Sequence, residues 1–230
     1  MSRQLPLALG LAPRTTLDDF VQDGNEAALA ALERLLDGRL SQLYLAGPEA
    51  SGKSHLLMGA VARHQERGRM AYYLPLSEIV EAGTALLDAL PDGCLLALDE
   101  LDRTVGDTAW ERALFRLFNR TLESGGTLLF AARALPSGLG LRLPDLASRL
   151  AWGESYRLRP LDDSGRLRLL QLQARQRGLE LGEAAAAWMV SRLSRDPRRL
   201  IEAVEKLDRA ALADGRRLTL PFVRRHLVEK

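Results

Sequence analysis

The stretch Gly47-Pro48-Glu49-Ala50-Ser51-Gly52-Lys53-Ser54 satisfies the pattern G-x-x-x-x-G-K-[ST] in full. Each fixed residue in it has a part in gripping a polyphosphate. Gly47 lets the chain leave a preceding strand sharply, and Gly52 lets the main chain approach a phosphate where a side chain would collide. Successive backbone N–H groups, and the start of a helix at His55, aim at the anion. Lys53 adds a point charge for the β- and γ-phosphates, and the Ser54 hydroxyl is a ligand for Mg²⁺. Context decides whether such a pattern means anything. Here the apolar run Leu43-Tyr44-Leu45-Ala46 precedes it and a helical stretch follows, so residues 47–54 are expected to hold a nucleotide di- or triphosphate.

A second acidic site lies downstream. Leu95-Leu96-Ala97-Leu98-Asp99-Glu100 is an apolar strand ending in paired acids. An Asp at the end of a strand beside the phosphate loop can hold the Mg²⁺ shell, and an adjacent Glu can orient or deprotonate an attacking water. Phosphoanhydride hydrolysis also develops charge that a guanidinium can stabilise, often from a neighbouring subunit. Arg149, at a helix-to-strand junction, and Arg198, near the start of a later helix, have suitable settings. Taken alone, each reads more readily as a surface arginine, of which the chain has many.

The elements that must position these groups alternate along the first two thirds of the chain. Asn25–Leu36 is an amphipathic helix, with Leu29, Leu32, Leu35 and Leu36 on one face. Strands are expected at Leu43–Ala46, Met70–Leu74, Cys94–Leu98, Thr127–Ala131 and Ser155–Leu158, with helices at His55–Arg67, around Ser77–Leu90, and at Asp107–Ser124. Strands alternating with helices argue for a five-stranded parallel sheet with helices on both faces. After Arg159-Pro160 the strand signals stop. Helices are expected from Asp162/Asp163 to Arg177, over Glu183–Leu193, from Asp196-Pro197 to Ala213, and over Thr219–Val228. The expected organisation is a mobile arm (1–16), an α/β domain (17–159) and a small all-helical domain (160–230).

Composition excludes several classes. Apolar residues make up 47% and charged residues 27% of the 230 residues, an ordinary globular balance. No apolar run is long enough to span a membrane, and the N-terminus is too briefly apolar for a signal peptide. Cys94 is the only cysteine, which excludes an internal disulfide and suits a reducing cytoplasm. The net charge of +2 and the scattered C-terminal arginines do not make the basic patch of a sequence-specific DNA reader. A small-molecule kinase shares the phosphate loop but should carry a substrate lid inside the α/β domain, and none is apparent.

Several stretches resemble one family. Gly52-Lys53-Ser54-His55-Leu56, the strand ending Asp99-Glu100, the run Leu143-Pro144-Asp145-Leu146-Ala147-Ser148-Arg149-Leu150-Ala151-Trp152-Gly153 and the small helical domain are similar to the AAA+ module of the bacterial replication initiator DnaA. Without the initiator's N-terminal oligomerisation domain and its C-terminal helix-turn-helix domain, the chain resembles, over almost its whole length, the Hda family of regulatory inactivators of DnaA. Leu207-Asp208-Arg209-Ala210 and the ending Leu218-Thr219-Leu220-Pro221-Phe222-Val223 also look like that family.

The resemblance implies roles. Gly47 through His55 would bind ADP or ATP, with Ser54 and Asp99 on Mg²⁺ and Phe20 and Val21 near the base. Arg149 would be an arginine finger directed into a partner's site, and Arg198 would sense the chain's own nucleotide. The N-terminal Gln4-Leu5-Pro6-Leu7-Ala8-Leu9 resembles a peptide that docks on the DNA polymerase sliding clamp (its beta subunit), with Gln4 for hydrogen bonds and Leu5, Leu7 and Leu9 for apolar pockets. The implied partners are DnaA and the clamp, with a homodimer left open. Two departures stand out. Ala50 occupies a position where initiators usually have a further glycine. Phe130-Ala131-Ala132-Arg133 ends the fourth strand where ATPases of this class usually place a polar residue to position water. Efficient intrinsic hydrolysis is therefore in doubt, although Glu100 argues for it. The rival expectation is an autonomous AAA+ ATPase such as a helicase loader or transposition helper.

Overall fold

The computed structural model describes residues 16–214 and 217–227, with side chains omitted for 212–214. The clamp-like peptide, with Gln4, Leu5, Leu7 and Leu9, lies outside the described residues. The chain divides into two compact units that meet in sequence between Arg159 and Pro160.

In the first unit, five short apolar runs form a parallel sheet: β1 (Gln42–Ala46), β2 (Ala71–Pro75), β3 (Leu95–Asp99), β4 (Thr127–Ala132) and β5 (Glu154–Arg157), in the order β2-β3-β4-β1-β5. Strand side chains alternate between faces, so a continuous apolar run supplies two cores at once. Tyr44, Leu96, Leu98, Leu128 and Phe130 enter one core, while Leu43, Leu45, Leu95, Ala97 and Leu129 enter the other. The second face is covered by α1 (Glu26–Leu36) and α2 (Lys53–Glu66), through Leu32, Leu35, Leu56 and Leu57. The first is covered by α5 (Thr108–Glu123) and α6 (Pro144–Trp152), whose Trp110, Leu114, Phe118, Leu146 and Leu150 are buried there. Phe118 stacks on Phe130 with ring centroids 6.2 Å apart.

Two expectations for this unit need correction. The single helix expected around Ser77–Leu90 is broken into one-turn pieces, α3 (Leu76–Ile79), a 3₁₀ turn (Val80–Ala82) and α4 (Ala85–Asp88). Gly83 sits between them at φ +85°, a left-handed backbone that no α-helix carries through its interior. The strand bearing Asp99 is also not the neighbour of the strand that feeds the phosphate loop. β4 lies between them, paired to β1 through Tyr44↔Phe130 and to β3 through Ala97↔Leu129. Its unbroken apolar run, buried from Leu128 to Ala132, suits that central place.

The second unit contains α7 (Asp163–Gln176), α8 (Glu183–Arg192), α9 (Pro197–Asp214) and α10 (Leu220–Leu227). Asp162 caps α7, its carboxylate accepting from the Gly165 amide at 2.8 Å, and Asp196 accepts from the Arg198 amide at 2.9 Å at the head of α9. Leu170, Ala186, Met189, Leu200, Val204, Leu207 and Val223 are buried in this unit. It is helical with one addition: β6 (Glu180–Leu181) and β7 (Arg217–Leu218) form a two-residue parallel pair. A pair this short leaves almost no alternation in a sequence, and its inward anchor is Leu218, which is fully buried.

The helix carrying Arg149 is fixed at both ends by polar side chains from the core. Glu111, on α5 and 0% exposed, accepts from the backbone amides of Gly106 (2.8 Å), Arg142 (2.9 Å) and Leu143 (2.7 Å). The last two lead directly into α6. At the far end, Gln42 Nε2 donates to the carbonyls of Arg149 and Leu150, each at 3.1 Å. A side chain at Gly153 would stand 2.9 Å from Gln42 Cγ, so the chain must be bare where it leaves α6. Replacing Glu111 with Ala strands three amides away from water, at ~1–3 kcal/mol for each unsatisfied donor. We expect Glu111→Ala to lower the urea-unfolding free energy by about 3 kcal/mol or more; a loss below about 1 kcal/mol would show that those amides find other partners.

Candidate functional site

β1 ends at Ala46, and the Gly47 amide donates to the Ala132 carbonyl at 3.1 Å, tying the start of the loop to the end of β4. A Cβ on Gly47 would lie 2.8 Å from Ser51 Oγ and 2.9 Å from the Leu158 carbonyl oxygen. A Cβ on Gly52, at φ +90°, would lie 2.6 Å from Phe20 Cε2. Both glycines are thus required by close approach. Helix α2 begins at Lys53, and its ladder opens with the Leu56 amide donating to the Gly52 carbonyl at 3.0 Å. The amides of Lys53, Ser54 and His55 precede that ladder at the positive end of the helix, the usual equipment of an anion site. Pro48 and Glu49 are exposed and Ser51 is buried.

Lys53 curls back over this loop. Its Nζ donates to the Gly47 carbonyl (2.8 Å), the Pro48 carbonyl (2.7 Å) and Ser51 Oγ (3.4 Å). Burial pulls its pKa below the ordinary lysine value, while the nearby Asp99 and Asp102 act in the opposite direction. The ammonium thus rests on neutral oxygens, which a phosphate can replace with charged ones.

Asp99 is 1% exposed. Its Oδ1 accepts from the Glu100 amide and its Oδ2 from the Tyr73 hydroxyl, each at 2.8 Å. Tyr73 is thereby bonded to one of the two residues expected to hold Mg²⁺. Burial first, and then the Asp99 charge, push the Tyr73 pKa above the usual tyrosine range, which keeps the phenol protonated and a donor. Sequence reasoning missed Tyr73. The signal available was its place on β2, whose Pro75 pairs with Asp99, but the identity of the neighbouring strand is not readable from the chain.

The donor set fits Mg²⁺. One hydroxyl and one buried carboxylate suit a cation that takes most of its six ligands from phosphate oxygens and water. Among the described residues no group of three or more His, Cys, Asp or Glu is placed to cage a metal by itself.

Glu100 is held away from free rotation. Its backbone is left-handed (φ 56°, ψ 44°) and its carboxylate accepts from the Ser77 hydroxyl. Past the apolar end of β4, Arg133 is engaged with Asp102: its amide donates to Oδ1 at 3.1 Å, and its Nε lies 3.6 Å from Oδ2. Arg133 also acts electrostatically on Lys53, which makes it a second cation near the loop that the sequence did not single out.

Residues 16–21 are tied to α2. Leu17 is buried against Gly59, where a Cβ would come within 2.7 Å of Leu17 Cδ2. His55 Nε2 donates to the Thr16 carbonyl at 2.9 Å, with burial drawing its pKa below the ordinary histidine value. Phe20 lies 5.9 Å from the His55 ring, centroid to centroid, and edges onto Gly52, so Phe20 sits beside the loop; Val21, next along the chain, is half-buried. Arg149 is exposed on α6, its guanidinium 6.0 Å from the Phe118 ring centroid. Arg198 is exposed in the first turn of α9, in the helical unit.

Solved structures define the class. Domain III of the replication initiation protein DnaA from Thermotoga maritima superposes with a TM-score of 0.75 at 24% identity, covering 94% of this chain and 97% of that one. AMPPCP-bound DnaA from Aquifex aeolicus gives 0.70 at 21% identity, over 94% of this chain and 69% of that one. The Thermotoga maritima RuvB Holliday junction branch migration motor gives 0.66 at 23%, over 93% and 71%. The fold is that of a P-loop AAA+ protein with a helical lid.

Sequence matches carry the assignment further. Residues 163–227 match the model for the lid domain of Hda, and a Haemophilus influenzae protein described only as uncharacterized is 41% identical over 229 residues, 99% of each chain. The chain belongs to one family with that relative, and its residues 163–227 are a lid domain of the Hda type.

Ala50 bears on the loop's stability. It holds φ +60°, a region costing an L-residue roughly 1–2 kcal/mol. Glycine there removes that cost and adds about 0.4–1 kcal/mol of unfolded-chain entropy. We expect Ala50→Gly to raise the thermal midpoint of the free protein by up to about 4 °C; a lower midpoint would mean that the Ala50 methyl makes contacts worth more than the strain.

Proposed function

We propose that this chain is a nucleotide-bound regulator that represses replication initiation by lending Arg149 to the ATP site of DnaA. Gly47 through His55 hold the phosphates of ADP or ATP, with Lys53 as the charge. Ser54 and Asp99 hold Mg²⁺, which neutralises phosphate charge when bound. Phe20 and Val21 flank the base. Arg198 reports the nucleotide to the helical unit. The peptide Gln4, Leu5, Leu7 and Leu9 tethers the protein to the sliding clamp and raises its local concentration near DnaA. The place of action is the cytoplasm; among the described residues no helix is long and apolar enough to cross a membrane.

One observation carries the reading: Arg149 is exposed on a helix whose two ends are locked by the buried Glu111 and Gln42. An arginine mounted on a fixed helix end is pre-organised for a charge in another molecule, where such a group contributes ~10³–10⁵ in rate in related phosphoryl transfers. Weak hydrolysis in cis fits the same picture. Glu100 is occupied by Ser77, and β4 ends in the buried, apolar Ala131 and Ala132. The second reading, an autonomous AAA+ ATPase, draws on the adjacency of Asp99 and Glu100. It requires turnover without DnaA that Glu100→Gln abolishes.

The test is ATP hydrolysis by DnaA, with and without this protein, in the presence of clamp loaded on DNA. The wild-type protein should stimulate it. Arg149→Ala should reduce stimulation at least ~10³-fold with clamp binding intact, and Lys53→Ala should remove the protein's own ADP binding. Undiminished stimulation by Arg149→Ala would take the finger out of the mechanism.

A further inference from the structure

The helical unit carries a groove that the nucleotide reading does not use. It lies between α8 and α10 and has a volume of about 420 Å³, enough for a small ligand or a few side chains of a peptide. Among the described residues it is lined by Trp188, Arg192, Leu193, Arg224 and Leu227. The three apolar side chains are half-buried, and the two arginines are exposed. Behind them Met189 and Val223, next to lining residues on the same two helices, are fully buried. The apolar floor of the groove therefore rests on a packed core and is formed before anything binds.

Charge selects the occupant. No acid is among those lining residues. Arg192 and Arg224 form no ion pair with a described residue, whereas Arg166, Arg177, Arg199 and Arg217 of the same unit each lie against a carboxylate. The Arg224 guanidinium instead stands 5.8 Å from the Trp188 ring centroid, where cation–π attraction holds it at the groove. A guanidinium held in place without a counter-ion is a ready partner for a carboxylate. The chain's own residues 1–15 do not supply one, since they contain Arg3 and Arg14 and no Asp or Glu. Nucleic acid fits less well. It presents phosphates in a row and stacks its bases on open aromatic faces, while here two leucines line the groove and a guanidinium lies over Trp188. We infer that this groove docks an acidic segment of another protein, which seats an apolar side chain among Trp188, Leu193 and Leu227 and sets carboxylates on Arg192 and Arg224. The inference does not depend on the nucleotide loop and is tested apart from the function proposed above.

The probe is a fluorescein-labelled peptide, Asp-Glu-Glu-Leu-Phe-Glu-Asp-Glu, titrated with the full chain and followed by anisotropy. A copy with lysine in place of every acid and a labelled oligothymidylate serve as controls. The wild type should bind the acidic peptide at least ~10-fold more tightly than either control. The double variant Arg192→Glu/Arg224→Glu changes only exposed side chains, and circular dichroism establishes that it is folded. It should bind the acidic peptide ~10-fold or more weakly, the scale of one lost charge-assisted hydrogen bond, and should gain affinity for the lysine peptide. In protein labelled with 5-fluorotryptophan, the acidic peptide should shift the fluorine NMR signal of Trp188 and leave those of Trp110 and Trp152 in place, with Trp188→Phe and Trp152→Phe assigning the signals. Equal binding of the acidic and lysine peptides, an unchanged affinity in the double variant, or a shift at Trp152 in place of Trp188 overturns the proposal. Tighter binding of oligothymidylate makes the groove a nucleic-acid site, and self-association that the double variant abolishes makes it a contact between copies of this chain. Either result overturns the proposal as well.

Discussion

The backbone at Gly47 runs so close to its surroundings that a methyl group there would stand 2.8 Å from Ser51 Oγ and 2.9 Å from the Leu158 carbonyl oxygen, and the phosphate loop depends on that approach. Leu158 follows directly on β5, the sheet's edge strand beside β1, and the Leu158 amide donates to the Ala46 carbonyl at 2.7 Å. The Gly47 amide in turn donates to the end of β4. The loop therefore starts from a point fixed on both sides by parallel strands. Its other end is fixed by Gly52 against Phe20. With both ends set, the first turn of α2 has only one place to go, at the ends of the strands where open α/β sheets bind ligands.

Two of the three non-glycine residues with positive φ among the described residues lie at this site: Ala50 in the loop and Glu100 next to Asp99, the third being Asp23. Left-handed backbone held at a ligand site by a rigid sheet points to a functional demand. Charge balance tells a similar story. Lys53 and Arg133 face Asp99 and Asp102, and a polyphosphate changes that balance more than any rearrangement of the side chains could.

Much of this was legible in the chain. The five apolar runs and the complete G-x-x-x-x-G-K-[ST] pattern determine the layers and the loop, because strand periodicity and glycine sterics are local properties. The order of the strands is not local: β4 inserts between β1 and β3, and its pairing with β1 joins residues more than eighty positions apart in sequence, such as Tyr44 with Phe130. Tyr73 was invisible for the same reason, since its meaning lies in Asp99 on another strand. Gly83 misled in the other direction. The apolar spacing of 77–90 reads as a helix, and one left-handed residue overrides it. Glu111 resembles any acid in the first turn of a helix until its three backbone partners, two of them about thirty residues away, are known.

The same geometry explains how a protein could grip a nucleotide firmly and still be a poor hydrolase in cis. Grip depends on main-chain amides and on Lys53, groups that the fold fixes before any ligand arrives. Turnover needs in addition a free base and a polar group to hold water, and here the carboxylate of Glu100 is bonded to Ser77 while β4 ends in buried alanines. A site with the first set and without the second stabilises a conformation more readily than it cycles. Arg149, in contrast, stands on a helix whose two ends are held by a buried carboxylate and a buried amide. Rigidity of that kind has no use for a solvated surface arginine, whose interactions are weak and screened. It matters when the guanidinium must meet a charge at one position, which is the demand that the proposed function places on Arg149.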